Sequence, residues 1–140
     1  MTSDAIVDRV RSLCVGEPFG FTEATAWHTF DLQPTTNIDK CFRILPPNSQ
    51  SVLGGFDFYE DRVDSMQIWV SRKHGNDWVG VRRALLRDVH SLTSAVMRDG
   101  SDSGDYAVLD QGRGHSVLVD KGLEYVSLRL TLPINYEISL

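Results

Sequence analysis

Apolar and polar positions along the chain follow two periods. Residues 4–15, "DAIVDRVRSLCV", place Ile6, Val10, Leu13 and Cys14 at steps of three and four, one apolar stripe on a helix. Ser3 is a suitable N-cap, and Gly16 followed by Pro18 supplies a stop. From Gly16 to about Lys40 no period holds, because aromatic residues are mixed with Gly, Pro, Thr and Asn. The spacing there predicts a packed loop with at most a short helical turn over 23–30. A loop of that length in a compact domain commonly serves a function or a partner.

"CFRIL" over 41–45 alternates as a short strand, which Pro46 and Pro47 are expected to halt, and "NSQSVLGG" then reads as a turn-rich connection. "RVDSMQIWVSR" over 62–72 sets Met66, Ile68 and Val70 against Gln67, Trp69 and Ser71, a central strand that extends back through Phe56 and Phe58. "HGND" breaks it, and Asn76 or Asp77 caps a second helix. That helix carries Trp78, Val81, Leu85, Leu86, Val89, Leu92 and Val96 on one face, with Arg83, Arg87, Ser94 and Arg98 opposite. It is expected to run to Asp99 and close at Gly100, with "SDSG" as a loop.

"YAVLD" over 106–110 is a short strand, "QGRG" a hairpin connection, and "HSVLV" over 115–119 its antiparallel return. After a turn at "DKG" the terminal strand alternates Val126, Leu128, Leu130 and Leu132 against Ser127, Arg129 and Thr131. Pro133 has no amide hydrogen and is expected to end or bulge the ladder there. The strand is expected to change face at that point, so that Ile134, Tyr136 and Ile138 present apolar groups that the home core need not cover. These elements predict an α+β fold. One layered domain over 1–140 would hold a mostly antiparallel sheet of four to five strands, flanked by the N-terminal helix and one long central helix.

Composition changes this picture little. With 41% hydrophobic and 24% charged residues in 140, the chain can bury a core without staples. No apolar run reaches about 18 residues and no charged-then-apolar leader opens the chain, so neither membrane insertion nor secretion is expected. Cys14 and Cys41 show no CxxC or metal spacing and are expected to be buried free thiols. The net charge of −5, from 14 Lys plus Arg against 19 Asp plus Glu, lacks the footprint of a phosphate-neutralising DNA binder.

Candidate chemistry is sparse. His28, His74, His90 and His115 include no i, i+4 pair and no HExxH, so no metal site is expected. His28 and Asp31 in "WHTFD" lack a nucleophile context, and Trp27 and Phe30 beside them suit loop packing. Asp57, Glu60, Asp61 and Asp64 supply enough carboxylates for a two-acid mechanism if they converged on a cleft, yet charges between two strands are usually a solvated loop, which is the expectation here. Gly112 and Gly114 around Arg113 are turn glycines without the rest of a dinucleotide fingerprint. No catalytic residue and no cofactor are expected. Trp69, on the second face of its strand, is either covered or held as an interface anchor. Arg82, Arg83, Arg87 and Arg98 read first as a solvated helix face, with docking to an acidic surface, such as that of a neighbouring copy, as the alternative.

In its order of elements and its endings, the whole chain resembles the tail terminator proteins of long-tailed bacteriophages and phage-like particles. The resemblance lies in "DAIVDRVRSL", in "MQIWV" leading to "WVGVRRALLRDVHSLTSAV", and in the close on "LEYVSLRLTLPINYE". It implies a six-membered ring, located in the virion, that caps the head-proximal end of the tail tube and stops its growth. Its partners would be further copies of itself, the tail tube protein and a head-completion or connector protein, with DNA passing through the channel unbound. Phe21, Trp27, Phe30, Trp69, Arg83, Arg87, Arg113, Ile134, Tyr136 and Ile138 are then the candidate contacts. The long 16–40 segment and the three tryptophans depart from the pattern and leave room for a neighbouring neck adaptor. From another class, a small hydrolase or ligand-binding domain would use His28, Asp31 and the acidic segment.

Overall fold

The computed structural model describes residues 2–24, 38–56, 59–119 and 125–139. Helix α1, Ser3–Val15, is capped by Thr2, whose hydroxyl accepts from the Ala5 amide at 3.2 Å, one residue earlier than the expected Ser3. Its stripe of Ile6, Val7, Val10 and Cys14 is buried. The irregular region beyond it contains a two-residue strand β1, Thr22–Glu23, too short to leave a period in the sequence.

β2 is Cys41–Phe56 and β3 is Tyr59–Lys73. Pro46 and Pro47 therefore do not halt β2. The register slips between Leu45 and Asn48, so both prolines sit in a bulge, and beyond Phe42 the outer edge of β2 carries no strand among the described residues. An edge bulge is where a strand can accept residues that cannot donate.

Helix α2, Trp78–Ser103, is capped by Asp77 and buries Leu85, Val89, Leu92, Val96 and Gly100. It does not end at Gly100. It runs on to Gly104, whose φ of 70° is the left-handed C-cap that glycine adopts without strain. β4, Tyr106–Val108, and β5, Gly114–Val119, follow, then β6, Tyr125–Ser139.

The fold is α+β, with a mixed six-stranded sheet in the order β1-β2-β3-β6-β4, β5 also pairing with β6. Among the described residues only β1 and β2 run parallel. The expected hairpin between the strands at 106 and 115 is not formed. Both instead pair antiparallel with β6 on the same edge, β4 with 134–136 and β5 with 126–131.

Pro133 explains the gap between them. Its carbonyl accepts from the Leu109 amide at 3.0 Å, so its missing N–H would point to that same edge. Residues 109–113 leave the ladder there, while the β3–β6 ladder runs without a slip from Tyr59↔Ser139 to Lys73↔Tyr125. The strand does not change face. Val126, Leu128, Leu130, Leu132, Ile134 and Tyr136 share one parity and all are buried, with Ile138 packed against them.

One core lies between this face and both helices. Arg72 closes it at one end with a two-pronged bond to Asp88, and Arg9 ties α1 to Asp99 and Asp105 beside the C-terminal end of α2, each at 2.7 Å. A smaller cluster of Ile38, Cys41, Trp69 and Tyr125 covers part of the opposite face.

Cys14 and Cys41 are both buried and are not joined to each other. Burial pushes the Cys14 thiol up to about 12 and raises that of Cys41 as well. Neither is expected to react with a disulfide reagent at pH 8 in the native protein, whereas both should react in guanidinium. Native labelling at the rate of a free thiol would contradict the packing.

Candidate interaction surfaces

The described residues place the candidate contacts in three settings. Phe21 is core: it is 2% exposed, stacked on Phe19, and lies beneath the Arg72 guanidinium. Trp69, 4% exposed, is covered by the small cluster, with the Arg129 guanidinium 5.8 Å from its ring. Ile134 and Tyr136 are core and Ile138 is half-buried against it, so the β6 end is not presented outwards in this chain. The reason is the unbroken parity across Pro133. Trp27 and Phe30, like His28, Asp31 and Asp57, lie outside the described residues.

Arg83 and Arg87 are exposed, as are Arg82 and Arg98 on the same helix. Asp88, the carboxylate within that stretch, is engaged by Arg72. The first half of α2 therefore presents guanidinium groups to solvent. Around its other end lies a hollow of about 500 Å³ bordered by Asp61, Asp105, Glu137, Gly104 and Tyr106. Arg83 and Ser101 are roughly 27 Å apart along the helix, so the Arg82, Arg83 and Arg87 group and the carboxylate hollow stand near different ends of one rigid element, with exposed Arg98 between them and Asp105 paired to Arg9.

Arg113 lies across a cleft of about 710 Å³ between α2 and β5. Its guanidinium donates to the Met97 sulfur at 3.0 Å and pairs with Asp110 at 3.4 Å. Val89 and Leu130 floor the cleft, and His90 of α2 faces His115 of β5 with ring centroids 5.8 Å apart. Periodicity could not bring these histidines together, since their meeting depends on how β5 registers on β6.

The acidic cluster separates in space. Asp61 stands at the hollow, whereas Asp64 is 4% exposed on the helix-facing side of β3 and accepts from the Tyr136 hydroxyl at 2.5 Å. Among the described residues no three His, Cys, Asp or Glu side chains gather as metal ligands, and no helix is long and apolar enough to cross a membrane. Compared with known proteins, the chain matches no family model and no curated protein.

Proposed function

We propose that this chain is a structural assembly protein that forms a ring through contacts between unlike surfaces of successive copies. The ring would be the terminator at the head-proximal end of a phage-type tail tube. The observation that carries this is the charge distribution along α2, with the exposed Arg82, Arg83 and Arg87 near one end and Asp61 and Glu137 at the hollow near the other, where Asp105 is already held by Arg9. A surface that complements a different surface on its own copy makes a head-to-tail contact, which closes into a ring when the rotation allows.

The open edges of the sheet support the same reading, since β2 beyond Phe42 and β5 are unlike one another. The contact surface proposed from the structure is thus the helix-two arginines and the acidic hollow, in place of the β6 end. One face of the ring would meet the tail tube and the other the head connector. The net charge of −5 suits a lumen through which DNA passes without adhering.

Light scattering after size exclusion, with negative-stain imaging, is expected to show rings at low salt. Arg83→Glu with Arg87→Glu should convert them to monomers while leaving the thermal midpoint within about 2 °C, because exposed charges contribute little to folding. A wild-type chain that stays monomeric at high concentration and low salt, and on addition of tail tubes, removes the proposal.

A further inference from the structure

We infer that the cleft between α2 and β5 accepts an extended, acidic segment of a partner protein, added as a further strand on the open edge of β5. This goes beyond ring formation and does not depend on it. β5 is paired on one side alone among the described residues. The Pro133 carbonyl points to the β4/β5 edge of β6, and peptide groups alternate along a strand, so the other odd-numbered residues of β6 point there too. Their partners Gly114, Ser116 and Leu118 are therefore bonded inwards, and His115, Val117 and Val119 present their N–H and C=O groups outwards.

An added strand would direct every second side chain into the neighbouring cleft, where half-buried Met97 offers apolar contact above the buried Val89 and Leu130. Main-chain bonds then supply affinity and the cleft supplies selectivity. Charge selects the occupant. Arg87, His90, Ser94 and Arg98 follow one another at steps of three and four on α2, all exposed, and Arg113 lies opposite. The carboxylate at that rim is Asp110, exposed and paired with Arg113. A segment whose cleft-facing positions, every second residue, carry aliphatic and Asp or Glu side chains in turn meets both requirements.

The test titrates the full chain into fluorescein-labelled peptides about eight residues long and reads anisotropy. One peptide carries Val and Glu in turn at every second position with Thr between them, a second replaces Glu by Lys, and a single-stranded oligonucleotide of similar length is the third probe. The acidic peptide is expected to bind, and Val117→Pro should weaken it at least about tenfold, since that amide points away from β6 and its loss leaves the native ladder whole. Arg87→Glu with Arg98→Glu should weaken it about fivefold. Should Val117→Pro lose its native circular dichroism, the charge reversal decides alone. Equal binding of the lysine peptide, tighter binding of the oligonucleotide, or unchanged binding by the variants overturns the inference. So does conversion of wild-type rings to monomers by a folded Val117→Pro, which would make the occupant a second copy.

Discussion

Tyr136→Phe is expected to lower the free energy of unfolding by about 3 kcal/mol, because it strands a buried carboxylate. Asp64 is 4% exposed, its Oδ2 accepts from the Tyr136 hydroxyl, and its Oδ1 has no hydrogen-bond partner among the described residues. Removing the donor leaves the charge dry and unmatched. Removing both members restores consistency, so Asp64→Asn with Tyr136→Phe should be less damaging than the single change to Phe. Urea unfolding followed by tryptophan fluorescence measures each member of this cycle, and losses that simply add would refute the coupling.

The same pair makes a prediction about alkaline pH. Burial, aided by the bond to Asp64, pushes the Tyr136 hydroxyl from its ordinary 10.0 up to about 12. A raised value means that the hydroxyl's contribution is complete below pH 10 and is lost as the pH climbs towards 12. The stability gap between wild type and Tyr136→Phe should therefore narrow across that window. A constant gap would show that Tyr136 titrates as it does in the unfolded chain.

Gly100→Val is expected to cost about 2–3 kcal/mol, although a glycine inside a helix normally invites replacement. A Cβ at this position would stand 2.6 Å from the Tyr106 carbonyl oxygen and 2.8 Å from its ring. Neither neighbour can yield cheaply. The Tyr106 hydroxyl is held by the Val96 carbonyl at 3.0 Å and by Asp99 at 2.7 Å, and β4 is paired to β6 from that residue onwards. Gly100→Ala separates the two effects: helix propensity alone would raise stability by up to ~1 kcal/mol, and a lowered thermal midpoint means that the close approach wins. A rise in midpoint for both variants would show that β4 moves aside freely.

Gly100 also shows why part of the fold was hidden in the sequence. Glycine at the end of an apolar stripe reads as a cap, yet this one is needed so that β4 can pass close to α2, a contact between segments that the stripe does not describe. The stripes themselves were legible. Leu85, Val89, Leu92 and Val96 are buried and Arg83, Arg87 and Arg98 exposed, as the helical period requires. Strand limits were less so, because Pro46 and Pro47 act as stops only where their missing amides are needed, and at an edge bulge they are not. The apolar residues of β6 keep even numbers through Pro133, so its single facing was present in the sequence although the proline suggested otherwise. The β5 edge and the His90–His115 meeting depend on register between distant segments, which no local pattern encodes.

β6 lies inside the sheet, but every strand it joins precedes it in the chain. During synthesis β3 has no inner neighbour, and β4 and β5 have no partner at all, until β6 has left the ribosome. The earlier strands must wait with their hydrogen-bonding edges bare, and the apolar faces of both helices wait with them. Such a nascent chain is a natural client for a chaperone, and cooperative closure of the sheet waits until β6 has emerged.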